Sequence, residues 1–151
     1  MDSRLRPFPW IAGGALFLVA YAQTTPLFSF FFLKPNIVLA LSVILALSYG
    51  TFRECAFLIV LGATGLASGV GVPQALLFFL AIFAVTRGIL YVVPWQPLPS
   101  GIALVVLFSF ITHGHLAPLA VREALYNAAV FMALYACMPS GYARRQRIYK
   151  F

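Results

Sequence analysis

Long apolar stretches, broken by short segments with proline or glycine, make up most of this 151-residue chain. Only 9% of its residues are charged, against about 25% in a typical soluble domain. A water-soluble fold of this size could not hide so much apolar surface. We therefore predict an all-α, polytopic membrane helical bundle of about six transmembrane helices, forming a single integral membrane domain over residues 1–151. The predicted spans are residues 9–27, 36–52, 55–72, 74–93, 101–116 and 119–138.

Helix-breaking residues separate most of these spans. The clearest breaks are residues 34–36, 71–73, 94–99 and 139–141. The breaks at residues 50–54 and 113–118 are weaker, and some spans reach only 16–17 residues. Five spans plus a re-entrant segment is therefore an alternative to six.

The basic residues indicate an orientation in the membrane. With six spans both termini lie on one side, and Lys/Arg residues in short loops mark the cytoplasmic side. Seven such residues fall on the side of the termini and two on the other, which predicts cytoplasmic termini. The seven are Arg4, Arg6, Arg53, Arg144, Arg145, Arg147 and Lys150, and the two are Lys34 and Arg122.

The C-terminal tail, residues 139–151, carries four of these cations: Arg144, Arg145, Arg147 and Lys150. Cations beside a membrane attract anionic lipid headgroups. We expect the tail to bind such headgroups, with a simple stop-transfer anchor as the alternative.

Arg87 is the ionisable residue that lies deepest by count within a predicted span. Charged groups in a bilayer are costly and suggest function. The first interpretation is an arginine that extends to the cytoplasmic interface. The second is a buried partner for Glu54, which the predicted topology places on the same side.

Glu123 and Asn127 are four residues apart and share a face of the last helix. One interpretation is structural: Glu123 in the first helical turn, stabilised by the helix dipole, and Asn127 in an interhelical hydrogen bond. The other is a polar contact to a partner subunit or a ligand.

Three glycines, Gly62, Gly65 and Gly69, lie on one side of the third span, which we call the glycine face. Small residues allow helix backbones to approach closely. The glycine face is predicted either to pack inside the bundle or to bind the single span of a partner.

The sequence offers little for catalysis. It contains no GxSxG, HExxH, P-loop or GxGxxG motif. His113 and His115 form an HxH, but a metal site requires three or four protein ligands, and Glu123 is the only acid near them. We expect no enzyme activity, no metal, no cofactor and no nucleic-acid partner.

Four segments of the chain resemble the rod shape-determining protein MreD family. Residues 23–25 (Gln-Thr-Thr) and 33–41 (Leu-Lys-Pro-Asn-Ile-Val-Leu-Ala-Leu) are similar to the end of its first span and the start of its second. Gly65-Leu66 resembles its Gly-Leu segment, and residues 123–127 (Glu-Ala-Leu-Tyr-Asn) resemble its final span. Many members carry an Asp after the Gly-Leu, where this chain has Ala-Ser-Gly at residues 67–69.

This resemblance implies a non-catalytic scaffold subunit of the bacterial cell-elongation (peptidoglycan synthesis) machinery in the inner membrane. It implies a six-helix fold similar to the substrate-binding subunits of energy-coupling-factor vitamin transporters. The direct partner would be an MreC-like single-span protein, with indirect links to MreB filaments, a RodA-type glycosyltransferase and a penicillin-binding transpeptidase. The positions implicated are Lys34, Pro35, Asn36, the glycine face, Glu123 and Asn127.

The alternative function is that of a vitamin-binding subunit of such a transporter. It predicts a ligand cavity lined by polar groups at the outer ends of the spans: Lys34, Asn36, Gln74, His113, His115 and Glu123. Some subunits of this kind dock through an Ala-x-x-x-Ala on the first helix, and the alanines of the first span do not have that spacing. A quinone- or lipid-handling membrane enzyme is a third, weaker possibility.

Overall fold

The computed structural model describes residues 9–25, 36–49, 51–92, 97–113 and 117–137, and within them it contains six α-helices and no strand. The all-helical fold class is therefore confirmed. The helices are α1 (Pro9–Thr24), α2 (Ile37–Ser48), α3 (Phe52–Val70), α4 (Val72–Val92), α5 (Pro97–His113) and α6 (Ala117–Ala136).

The boundary between α2 and α3 differs from the prediction. The second span was expected to continue to Phe52, but α2 ends at Ser48 and Phe52 is the first residue of α3. Thr51 caps α3, because its hydroxyl accepts from the Glu54 backbone N–H and the Glu54 carboxylate accepts from the Thr51 backbone N–H. This reciprocal pair is a capping box, which begins α3 inside the weak break at residues 50–54.

Prolines were expected to lie between helices, but several lie in their first turns instead. Pro97 and Pro99 are within the predicted break at residues 94–99, and they belong to the start of α5. The first turn tolerates proline because its backbone N–H groups have no intrahelical partner. The α3–α4 break is made by Gly71, whose φ of 88° suits glycine.

Helix α2 occupies the centre of the fold and packs against α1, α4, α5 and α6. Helices α1 and α3 run parallel, because Trp10 contacts Phe57 at one end and Thr24 contacts Ser68 at the other. Helices α5 and α6 form an antiparallel pair in which Gly101 faces Phe131 and Ser109 faces Asn127. Apart from half-buried Leu41, residues 38–47 of α2 are buried.

Two helices of the described chain, Phe52–Val70 and Val72–Tyr91 within α4, are long and apolar enough to cross a membrane. Only 22% and 28% of the residues in these two segments are buried by the rest of the chain, and large apolar side chains such as Val60, Leu77 and Leu80 are exposed on them. Helix α2 has 12 residues, about 18 Å at 1.5 Å per residue, which is less than the ~30 Å hydrocarbon core of a bilayer.

Candidate functional site

A group of polar side chains from α1, α5, α6 and the residue before α2 lies at the first turn of α2. We call it the N-terminal cluster; its members are Gln23, Asn36, Ser109 and Asn127. Asn36 precedes α2, and its side-chain oxygen accepts from the Leu39 backbone N–H at 2.9 Å. Asn36 is thus the N-cap of α2, a position that favours asparagine.

Gln23, at the end of α1, uses both ends of its amide in this cluster. Its nitrogen donates to the Asn36 side-chain oxygen at 3.1 Å. Its oxygen accepts from the Val38 backbone N–H at 3.0 Å. One side chain therefore joins the end of α1 to the start of α2.

Asn127 makes the corresponding connection from α6. Its side-chain oxygen accepts from the Asn36 backbone N–H at 2.7 Å, and its nitrogen donates to the Ser109 hydroxyl oxygen at 2.9 Å. The Ser109 hydroxyl in turn donates to the Val105 carbonyl at 2.8 Å. Asn127 and Ser109 are both fully buried.

The N-terminal cluster supplies partners for groups that a helix cannot satisfy by itself. The first backbone N–H groups of any helix lack intrahelical acceptors, and an unpaired polar group in an apolar interior costs several kcal/mol. Here side chains accept from the backbone N–H groups of Asn36, Val38 and Leu39. A short central helix can therefore begin inside the fold.

Glu123 lies one turn before Asn127 on α6 and is only 8% exposed. Helix α6 begins at Ala117, so Glu123 is in the second turn. The expectation that it occupies the first turn is wrong, because α6 begins two residues earlier than predicted. The dipole of the helix terminus falls off within the first turn and does not account for this carboxylate.

A second group, the C-terminal cluster of Tyr49, Cys55 and Arg87, lies at the other end of α2. The Arg87 guanidinium donates to the Tyr49 carbonyl, and the Cys55 thiol contacts the same oxygen at 3.6 Å. A cation at a helix C-terminus satisfies free carbonyls and interacts favourably with the helix dipole. Arg87 is half-buried and Tyr49 is buried.

Glu54, the predicted partner of Arg87, takes part in neither contact of the C-terminal cluster. The Glu54 carboxylate forms the capping box with Thr51, and Arg87 donates to the backbone at Tyr49. Arg87 therefore has a role that neither sequence interpretation anticipated, as the C-terminal cap of α2.

The glycine face packs against α1. A Cβ at Gly65 would lie 2.5 Å from the Phe17 carbonyl oxygen, and one at Gly69 would lie 2.7 Å from the Thr24 side chain. A Cβ at Gly62 would lie 2.6 Å from the Phe79 ring of α4. Of the two interpretations, packing inside the bundle describes these contacts: Gly62 and Gly65 are buried by the chain's own helices, whereas Gly69 is exposed at the end of the glycine face.

Several predicted positions lie outside the described residues: Lys34, Pro35, His115, Arg144, Arg145, Arg147 and Lys150. Within the described residues no group of three His, Cys, Asp or Glu side chains could hold a metal. The N-terminal cluster brings together Asn36 and Asn127 from the predicted set. Gln23, Ser109, Tyr49 and Cys55 were not identified as site residues.

No protein-family model, curated protein or solved structure matches this chain. The contacts themselves therefore carry the functional argument. In both clusters the hydrogen bonds described above join side chains to neighbouring helices or to the ends of α2. Such an arrangement holds helices in register, and it provides no nucleophile paired with a base.

Proposed function

We propose that this protein is a non-catalytic integral membrane scaffold subunit of the bacterial cell-elongation machinery that binds an MreC-like single-span partner. One observation supports this most directly. Gln23, Asn36 and Asn127 come from three of the four segments that resemble MreD, and they meet in one hydrogen-bonded cluster. These three residues, which belong to the segments similar to MreD, thus join α1, α2 and α6.

The membrane location is part of the same proposal. Six helices cross the bacterial inner membrane, with both termini in the cytoplasm. The outward apolar surface of α3 and α4 supports this, because soluble monomers rarely expose large contiguous apolar patches. The capped ends of α2 also support it, since backbone ends at membrane depth are tolerated only when protein or a water-filled cavity satisfies them.

In this proposal the scaffold makes and breaks no bond. It holds its helices in a fixed arrangement, binds the span of its partner in the bilayer, and thereby links it to MreB filaments, the RodA-type glycosyltransferase and the penicillin-binding transpeptidase. Transmembrane helices associate through close packing and interhelical hydrogen bonds. A partner span must contact an outward face, since α1 and α4 already bury Gly62 and Gly65 of the glycine face.

The test is co-purification in mild detergent, with mass spectrometry of the retained proteins. We expect an MreC-like single-span protein to be enriched over a control purification of an unrelated multi-pass protein with the same tag. Equal recovery in both would contradict the scaffold proposal. Thermal stabilisation by a vitamin, without any elongation protein retained, would instead indicate the transporter alternative.

Variants for this test should leave the fold intact. Glu123 and Gly65 are buried, so changes there would report on folding as well as on binding. Gly88 of α4 is exposed, and a Cβ at that position would contact nothing within 4 Å. Gly88→Leu therefore adds bulk only on an outward face, and loss of the partner from this variant would place the partner against α4.

A further inference from the structure

Exposed aromatic residues and a cation gather where α1 and α3 begin and α4 ends. Trp10 is 71% exposed, Phe52 is 87% exposed and Tyr91 is 83% exposed. Arg53 is exposed beside Phe52. Their neighbours on the outward faces of these helices are mainly aliphatic, so this end has a different chemistry from the rest of the outer surface.

The packing of α1 on α3 fixes the position of Arg53 relative to Trp10. The Trp10 ring meets the Phe57 ring edge-on at 4.6 Å. Arg53 is four residues before Phe57 and therefore on the same face of α3. It lies about 6 Å farther along the helix axis, one turn beyond the aromatic pair.

The packing of α3 on α4 brings a third aromatic residue to this level. Gly62 faces Phe79 in this antiparallel pair. Nine residues back from Gly62 is Arg53, and nine residues on from Phe79 is Gly88, within one turn of Tyr91. Exposed Tyr91 therefore lies at about the same level along the bundle axis as Arg53, on the neighbouring helix α4.

We propose that Arg53 and Trp10 form a binding site for an anionic phospholipid, with the guanidinium on the lipid phosphate and the indole beside the glycerol and upper acyl chain. This site rests on the membrane location proposed above, and it is separate from the basic tail. A guanidinium matches phosphate oxygens bidentately. Tryptophan is enriched at the level of lipid headgroups because its ring is amphipathic.

The local charges favour an anion at Arg53. The nearest acid along the chain, Glu54, turns back to the Thr51 backbone N–H in the capping box. Successive residues of a helix point about 100° apart, so Glu54 and Arg53 leave α3 in different directions. The exposed side of Arg53 thus presents a cation beside an apolar aromatic pair, which is the chemistry of a phospholipid headgroup and its chain.

The experiment measures lipid retention by native mass spectrometry. The full chain is released from detergent containing equal amounts of phosphatidylglycerol and phosphatidylcholine. We expect Arg53→Gln to lower the retained phosphatidylglycerol about fivefold relative to phosphatidylcholine, the effect of one cation near an anionic membrane surface. Arg122→Gln is the matched control, because Arg122 is also exposed and its loss changes the net charge equally; we expect a change of less than about twofold.

Two further variants separate the parts of the site. Arg53→Lys keeps the charge but loses the bidentate geometry, so we expect partial retention. Trp10→Leu should weaken retention of both lipids, since it removes the indole without changing charge. Circular dichroism verifies that each variant keeps its helix content.

Each other result overturns the lipid site. An equal loss in Arg53→Gln and Arg122→Gln would show a general charge effect, and displacement of the lipid by inorganic phosphate at millimolar concentration would show a site for free phosphate. Failure of the scaffold proposal is distinguishable, because selective phosphatidylglycerol retention can persist when no MreC-like protein co-purifies. Recovery of the chain in water without detergent would remove both proposals together.

Discussion

At the scale of single residues, Asn127 connects α6 both to the start of α2 and to α5. It is fully buried on α6, and its amide accepts from the Asn36 backbone and donates to Ser109. An asparagine among apolar residues costs desolvation unless both ends of its amide find partners. Its two contacts offset that cost at a fully buried position of α6.

Replacement of Asn127 by alanine should destabilise the fold. The variant leaves the Asn36 N–H without this acceptor, at a cost of about 1–3 kcal/mol for a buried unsatisfied group. Thermal unfolding followed by circular dichroism in detergent measures the change. Leu125→Ala on the exposed side of α6 is the control, and equal melting temperatures for both variants would contradict the role given to Asn127.

Thr86 is also a buried polar residue, but unlike Asn127 its side chain is not satisfied by hydrogen bonds within the residues that the structure describes. Its hydroxyl is buried on α4, and within the described part of the chain it has no hydrogen-bond partner. Thr86→Val replaces the hydroxyl with a methyl group of similar size, so we expect unchanged or higher thermal stability, by up to about 1 kcal/mol. Ser109→Ala, which removes a hydrogen-bonded hydroxyl, should lower the stability. A destabilised Thr86→Val would show that the hydroxyl has a partner in the working protein.

At the scale of elements, replacing a glycine by alanine should raise stability at one position and lower it at another. Gly65 of α3 faces the Phe17 carbonyl, whereas a Cβ at Gly14 of α1 would contact nothing within 4 Å. Gly65→Ala should therefore push α1 away from α3 and lower the melting temperature. Gly14→Ala should raise stability by about 0.5–1 kcal/mol, because alanine favours helix. The pair is measured by thermal unfolding in one detergent, and a shift of both variants in the same direction would contradict the described packing.

The C-terminal end of α2 depends on Arg87. Without its guanidinium the Tyr49 carbonyl loses a charged donor, so Arg87→Met should loosen the last turn of α2. Hydrogen exchange should become faster at Leu45 to Tyr49 while the first turn of α2 keeps its protection. Arg122→Met on the exposed side of α6 should leave both ends unchanged. Uniformly faster exchange along the helix would instead indicate global destabilisation.

The sequence predicted those features of the helices that depend on neighbouring residues, such as the apolar stretches and the residues at helix ends. The six helices follow the six apolar stretches, and Asn36, Thr51 and Gly71 lie at helix ends, positions that these residue types favour. The shortness of α2 was not predicted, since the break at residues 50–54 contains no proline and was only a weak signal. The Thr51-x-x-Glu54 pattern is the local signal that could have located that boundary.

At the scale of the whole molecule, the sequence could not reveal which polar residues meet. Asn36 and Asn127 are 91 positions apart and Gln23 belongs to a third helix; their meeting depends on how α1, α2 and α6 dock. The Arg87 contact with Tyr49 across 38 positions has the same origin. Composition predicted a membrane around the bundle, and only the packing shows that its polar groups cap one central helix.

The number of spans can be tested by labelling two positions on intact cells. The first position is the native Cys137, which follows α6 and is exposed; it is labelled in a Cys55→Ser chain. The second position is Val72, which is exposed at the start of α4. It is replaced by cysteine in a chain that also carries Cys55→Ser and Cys137→Ser. Three helices, α4, α5 and α6, separate the two positions, so six spans place them on opposite sides. We expect a membrane-impermeant maleimide to label the cysteine at position 72 in intact cells. The same reagent should label Cys137 only after the cells are permeabilised. Labelling of both from one side would favour five spans with α5 re-entrant, because a re-entrant segment returns the chain to the side it entered from.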